Sequence, residues 1–277
     1  MKLSVIIPTC NRNDQLGQCL LRLSPGVQSF PAADYEVIVS DDSPRFEAEA
    51  FCQQHYPWVR FSLGPKRGPA ANRNNGAAIA QNDWLVFLDD DCLPDTQLLK
   101  SYASAIDNHP AVHVLEGVIL PEGPKPNARA FAPIKEVPGF LWSCNFCISK
   151  DAFQTVAGFD ENFKYAHMED KDLQVRLENK GFALQFVPGA TVIHPWRVLN
   201  SGKALGIREE SFLYYCAKHQ LAFRPEVYVK KLFFFYFSRV RERWSFKDAM
   251  YLFRQYLVHL FVVFINYPSW KRKYFPR

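Results

Sequence analysis

Apolar residues in this chain fall into short solid runs separated by helical stripes. Leu3–Ile7, Tyr35–Ser40 and Trp84–Leu88 leave no room for a polar helix face, so each predicts a strand buried on both sides, and a further strand is expected at Trp58–Leu63. Between them, Leu16, Cys19, Leu20 and Leu23 recur at i, i+3, i+4 and i+7 behind a capping Asn13-Asp14, which predicts a helix. A second helix is expected over Ala48–Gln54, and a third opens at the small residues after Gly68-Pro69 and runs to about Ala80. Strand and helix in this rhythm imply an α/β fold with a mostly parallel sheet and right-handed crossovers.

Further along the pattern loosens. Five prolines between Pro121 and Pro138 mark a long loop of the kind that carries specificity. Phe140–Ile148 reads as a strand, with Trp142 and Asn145 candidates for an acceptor site, although Trp142 fits ordinary packing better. Asp170, Leu173 and Leu177 share one face of a buried helix, while Asp172 and Arg176 stand at ion-pair spacing. Gly181–Arg197 reads as the last strand pair of the body. After Asn200 come a helix over Leu205–Gln220, an aromatic run ending in Phe233-Phe234-Phe235-Tyr236-Phe237, and an apolar stretch over Tyr251–Ile265. Arg254, Gln255 and His259 interrupt that last stretch, so no window reaches the ~20 apolar residues of a membrane span.

With 277 residues, nearly half of them hydrophobic, the chain can build one full core plus an appendage and is not disordered. The net charge of +5 conceals an asymmetry: twelve Lys/Arg face three Asp/Glu from Arg224 onward, leaving about −4 before it. The seven cysteines are odd in number and scattered through apolar runs, which suggests reduced thiols in the cytoplasm. Cys144-x-x-Cys147 lacks a second pair at metal spacing and reads as core. Met1-Lys2 leads into a run broken at Pro8, too short for a signal peptide.

The chemistry gathers at strand ends. Trp84–Leu88 stops at Asp89-Asp90-Asp91, and three like charges at a strand tip call for a compensating cation. Ligands of open α/β sheets gather outside the carboxyl ends of the strands, where Pro8-Thr9, Arg12 and Asp41-Asp42 also fall. Hard oxygen ligands suit Mg²⁺ or Mn²⁺ shared with phosphates; a solvated acidic turn is the plainer alternative. No glycine-rich phosphate loop is present, so phosphates would have to be neutralised by a metal with Arg67 or Arg73.

Pro8-Thr9-x-Asn11-Arg12, Val37–Ser43, Arg67-Gly68-Pro69-Ala70-x-x-Arg73-Asn74-x-Gly76, Leu88-Asp89-Asp90-Asp91, Gly158-Phe159-Asp160-Glu161 and Glu169-Asp170-x-Asp172-Leu173-x-x-Arg176 together resemble glycosyltransferase family 2 over roughly residues 2–197. The resemblance implies a Rossmann-like GT-A fold over residues 1–200, with helices on both faces of the sheet. A helical, basic and aromatic C-terminal region would follow over 201–277. It further implies an inverting, metal-dependent hexosyltransferase with a nucleotide-sugar donor, most commonly UDP-linked, and a saccharide or lipid-linked acceptor in surface glycan synthesis. Pro8, Thr9, Arg12, Asp41, Arg67, Arg73 and Asp90 fall at donor-binding positions of the family. Asp91 falls at the principal metal ligand; Asp89 is either linked to the metal through water or structural, and His194 resembles a metal-binding histidine. Asp170 matches the general base, with Glu169 as the fallback. A nucleotide-sugar-binding scaffold without catalysis is the alternative. Residues 225–277 fit an anionic membrane surface at the cytoplasmic face, or a helical cap on the body or on another subunit of a homo-oligomer. No recognised nucleic-acid motif accompanies them.

Overall fold

The structure, a computed structural model, describes residues 1–242 and 245–275; Arg243, counted above with the basic C-terminal stretch, and Arg277 lie outside them. The chain divides into two compact units, one of residues 1–122, 133–164 and 169–195, the other of 123–132, 165–168 and 196–277. The second unit therefore takes in two short segments from within the body as well as everything after Pro195.

The first half of the first unit follows the expected alternation: β1 (Leu3–Thr9), α1 (Asn13–Leu23), β2 (Tyr35–Asp41), α2 (Glu47–His55), β3 (Arg60–Leu63), α3 (Pro69–Ala78) and β4 (Trp84–Leu88). Then come β5 (Leu93–Pro94), α4 (Leu98–Asn108), β6 (Val114–Pro121), β7 (Ala130–Phe131, in the second unit), β8 (Asn145–Ser149), α5 (Lys150–Thr155), α6 (Glu169–Asn179) and β9 (Leu184–His194). Among the described residues the main sheet has eight strands in the order β3-β2-β1-β4-β8-β6-β9-β5. β1 lies parallel to both β2 and β4, whereas β8 runs antiparallel to β4 and β6. The α/β, mostly parallel sheet is thus observed, with an antiparallel strand in its middle.

Alternation explains why the centres of β1, β2 and β4 are apolar on both faces. Leu3, Val5, Ile7, Val37, Val39, Val86 and Leu88 pack on one sheet face with Leu16, Leu20, Leu98 and Tyr102 of α1 and α4. Ile6, Ile38, Leu85 and Phe87 point to the other face, where Ala70, Ala77, Phe153, Leu173 and Leu177 of α3, α5 and α6 cover them. Register then sets the chemistry. Thr9 pairs with Asp41, and Ile6 pairs with Phe87, so Thr9 comes level with Asp90 at the carboxyl edge.

Three expectations need correction. The strand expected over Phe140–Ile148 is regular only over Asn145–Ser149. Its first half finds side-chain partners instead: Gly139 and Phe140 donate N–H groups to buried Glu116, Leu141 donates to Gln174, and Lys135 donates to the Phe140 carbonyl. Residues 181–197 hold not a strand pair of the body but a single body strand, β9, that runs past a bulge, its register to β6 jumping between Glu116 and Val118, while Arg197 starts a separate two-residue strand. The side chain of Asn145 fills that bulge, donating to Val118 and Ala190 carbonyls and accepting from Tyr102, which leaves it no role at an acceptor site. Gly117 is required there, since a Cβ would lie 2.4 Å from the Ala190 oxygen. All seven cysteines are free, and Cys144 and Cys147 are buried in the core as expected.

In the second unit, β10 (Arg197–Val198) pairs antiparallel with β7, and α7 (Gly202–Lys218), α8 (Pro225–Glu242) and α9 (Phe246–Tyr274) follow. Buried Glu209 of α7 lies 3.8 Å from His167 and 3.6 Å from His259 of α9, and the Tyr228 and Tyr236 hydroxyls bracket that second imidazole. Burial pushes the Glu209 carboxyl up, but the two histidines outweigh it and hold it at about 2.

Lys135 and Glu116 form an ion pair at 3.0 Å with both side chains buried. Replacing Lys135 by Met strands the carboxylate and is expected to cost about 3–5 kcal/mol in urea unfolding. Adding Glu116→Gln should recover much of that loss, because the uncompensated charge goes with it.

Candidate active site

The carboxyl edge of β1, β2 and β4 is built around acids that share two arginines. β1 ends in half-buried Pro8 and buried Thr9, and the chain turns at Asn11, which has φ of 55°. That turn returns Arg12 over the sheet edge. Thr9 Oγ1 donates to Asp90 at 2.8 Å, and Arg12 donates to Asp90 at 3.0 Å and to Asp91 at 3.4 Å. Burial pushes the Asp90 carboxyl up to about 6, against the opposing pull of Arg12 and Thr9.

A second cation is deeper. Arg73 of α3 is buried, donating to Asp89 at 2.7 Å and to Glu169 at 3.3 Å, with its guanidinium 5.5 Å from the Phe159 ring. Burial alone would lower its basicity, but Asp89, Asp170 and Glu169 raise it, so the guanidinium stays charged. α3 is aimed by polar contacts at its start. Asn72 donates to the carbonyls of Thr9 and Ser40, and Asp42 accepts from the N–H groups of Lys66 and Gly68. Gly68 there has φ of 96° and precedes the helix-opening Pro69.

The first turn of α6 supplies the other two acids, following Met168 in the left-handed region with φ of 73°. Glu169 is buried against Arg73; burial first and the neighbouring Asp170 next raise its carboxyl to about 8. Asp170 is only half-buried, and one of its oxygens, Oδ1, is enclosed without a hydrogen-bond partner. Its pKa is raised by burial, while the N–H and hydroxyl of Ser143 act in the opposite direction. Asp172 and Arg176 form the expected ion pair at 2.8 Å on another face.

A metal centre fits at Asp91. The Nδ1 of buried His194 lies 3.0 Å from the Pro195 carbonyl, an arrangement in which Nδ1–H donates and Nε2 keeps its lone pair. That Nε2 makes no hydrogen bond and faces Asp91 Oδ1 at 3.3 Å. The ligand atoms of Asp91, Cys92 and His194 lie within 4.8 Å of one another. Carboxylate with imidazole suits Mn²⁺ better than Mg²⁺, which prefers oxygen throughout. The thiol is the misfit: its side-chain hydrogen bond with Cys144 and burial push it well above the usual thiol range, so it forms a wall of the site. Asp89 falls outside this set and faces Arg73.

Other expected residues sit differently. Asp41 is fully buried, its carboxylate accepting from the Ser43 N–H and hydroxyl and from the Ala48 N–H, where it organises the turn into α2. Arg67 is 63% exposed and pairs with Glu161 at 2.7 Å. Ser143 is a contributor that the sequence did not single out, because only the folded loop brings it to Asp170, while Phe159 of the Gly158–Glu161 motif supplies the ring beside Arg73. A cleft of about 460 Å³ between α4 and β9 and another of about 430 Å³ beside α5 do not include the acids, which lie at the open sheet edge.

Comparison with known proteins agrees with this geometry. Residues 4–136 match the model of "Glycosyl transferase family 2", and residues 128–195 match that described as "N-terminal domain of galactosyltransferase". The pre-mycofactocin glycosyltransferase of Mycobacterium tuberculosis is 30% identical over 211 residues, covering 70% of this chain and 43% of that protein. The poly(ribitol-phosphate) beta-glucosyltransferase of Bacillus spizizenii is 31% identical over 114 residues, 39% of this chain and 18% of its own. The chain thus spans less than half the length of these relatives. Residues 1–349 of Staphylococcus aureus TarS, solved with UDP, superpose with a TM-score of 0.57 at 20% identity, over 77% of this chain and 64% of that one.

The raised carboxyls give a testable pH dependence. A group whose folded pKa exceeds its unfolded value lends stability that is intact at low pH and is lost as pH rises through the folded value. For Glu169 that window runs from 4.5 to about 8. Metal-free protein should therefore lose stability across it in denaturant titrations, and Glu169→Gln should flatten the slope.

Proposed function

The chain belongs to glycosyltransferase family 2 and has the GT-A fold, and from that premise we propose that it is an inverting, nucleotide-sugar-dependent transferase. The donor would lie along the edge formed by Pro8, Thr9, Arg12, Arg73 and Asp90, with Arg67 at its exposed margin and Asp41 supporting the turn beneath. Solved neighbours of the same fold hold UDP and UDP-GlcNAc, which favours a UDP-linked hexose. The acceptor is a saccharide or lipid-linked hydroxyl, in keeping with the poly(ribitol-phosphate) and GalNAc(5)-diNAcBac-PP-undecaprenol in the names of relatives. The cytoplasm is the compartment that suits its free thiols.

Asp91 and His194 would hold a divalent cation, Mn²⁺ before Mg²⁺. Bound there, it would supply positive charge where the nucleoside diphosphate leaves. Arg12 and Arg73 add fixed positive charge at the same edge. Asp170 takes the proton of the acceptor hydroxyl as its oxygen attacks the anomeric carbon and the bond to the diphosphate breaks, which inverts the configuration. The observation that carries this reading is the enclosed, unpartnered Asp170 Oδ1 beside an acid-rich strand tip with an aspartate–imidazole pair. Glu169, buried on Arg73, is suited to hold that arginine in place rather than to meet an acceptor.

Full-length protein given a panel of UDP-, GDP- and dTDP-sugars with Mn²⁺ should release nucleoside diphosphate from one of them. Asp170→Asn should slow transfer by roughly 10²–10⁴-fold with the donor still bound, measured by coupled assay and calorimetry. His194→Ala should raise the Mn²⁺ concentration needed for half-maximal rate, by about 10–100-fold on the scale of outer metal-site changes or more. Wild-type turnover by Asp170→Asn would remove the base assignment, and a panel without any binding would remove the transferase.

A further inference from the structure

The second unit carries an apolar surface that its own core does not use. On α9, Phe246, Met250, Phe253, Leu257, Phe261 and Phe264 follow one another at spacings of three and four, and each is at least 49% exposed. Three to four residues is one helical turn, so the six form a single stripe. The residues α9 buries, Leu252, His259, Val263 and Trp270, lie on the other side. α8 extends the stripe. Its exposed Phe233 stacks on Phe237 with centroids 5.5 Å apart and meets the edge of Tyr256 at 6.0 Å, and Tyr256 in turn contacts Phe253 at 6.5 Å. A contiguous exposed surface of this chemistry marks a binding face.

We propose that this face of α8 and α9 docks the protein on an anionic lipid surface, with α9 lying in the interface. Charge selects the occupant. Lys230, Lys231, Lys247, Arg254, Lys271 and Arg272 are exposed on the same two helices, within a stretch that holds twelve Lys/Arg and three Asp/Glu. A second copy would bring this positive surface against itself, whereas anionic headgroups neutralise it while the rings enter the acyl boundary.

Lying flat follows from how α9 is fixed. By length and composition it could cross a membrane. Its inner side, however, is locked to α7, where Cβ atoms on Gly202 and Gly206 would lie 2.1 Å from the Gln255 oxygen and 2.8 Å from Val262. The same side bears His259, bonded to Tyr228 and facing Glu209. Crossing would break those contacts and carry polar groups into hydrocarbon. The inference does not rest on the transferase reading.

The test is flotation of the full chain with vesicles of phosphatidylcholine alone or mixed with phosphatidylglycerol. Wild type should float with the anionic vesicles, less so at high salt, and should be released by an alkaline carbonate wash. Phe253→Glu and Phe261→Glu should each lower vesicle affinity roughly tenfold or more without moving Tm, since both side chains are exposed. Lys271→Glu should cost about fivefold or more, on anionic vesicles only. No flotation of wild type, resistance to carbonate, or a dimer abolished by Phe261→Glu with vesicle binding unchanged would each overturn the proposal. Nucleotide-sugar turnover, measured without vesicles, would be untouched by any of these results.

Discussion

Like charge crowded at one sheet edge is the constraint that shapes this molecule. Five carboxylates, Asp89, Asp90, Asp91, Glu169 and Asp170, converge around two arginines. Neither guanidinium could be removed without leaving buried negative charge uncompensated, which is the costly direction for a buried pair. Arg12 satisfies Asp90 and reaches Asp91 from a loop at the surface; Arg73 satisfies Asp89 and Glu169 from a buried helix. Between them they leave Asp170 Oδ1 without a hydrogen-bond partner, the oxygen with capacity left for a substrate.

Local chemistry serves that arrangement. Asn72 ties α3 to the ends of β1 and β2, so that Arg73, one residue on, is delivered at a fixed depth. Asp42 fixes the loop before it through two backbone N–H groups. On the opposite side, Glu116 and Lys135 hold residues 139–141 while Gln174 of α6 bonds Gly139 and Leu141. That chain of contacts ends two residues from Ser143, which faces Asp170. Polar networks buried in this way rigidify what they join.

β1, β2 and β4 were legible because their central residues are apolar on both faces, and the acid tip, both arginines and the paired Asp170 and Glu169 were legible as residue types at motif spacing. The reach of a histidine more than a hundred residues away to Asp91 was suggested by resemblance, and its geometry comes from the placement of β9. Asn145 and Asp41 are less accessible than the sequence suggests, for one reason. A short polar side chain next to a strand end looks available in sequence, yet each is enclosed by partners contributed from elsewhere, Tyr102 and Ala190 for one, Ala48 for the other. The Phe140 segment deceived in the same way, its apolar residues suggesting a ladder that buried Glu116 and Gln174 replace.

Sequence alone determined the α/β alternation, the concentration of acids at strand tips and the basic, aromatic character of the last fifty residues, since each depends only on side chains close together along the chain. Tertiary structure alone decided which acid pairs with which arginine, which carboxylate oxygen is left without a hydrogen bond, and which side of α9 is left to solvent. Those outcomes turn on contacts between residues far apart in sequence, and hydrogen-bond and ion-pair energies are set by distances of a few ångströms that no local pattern encodes.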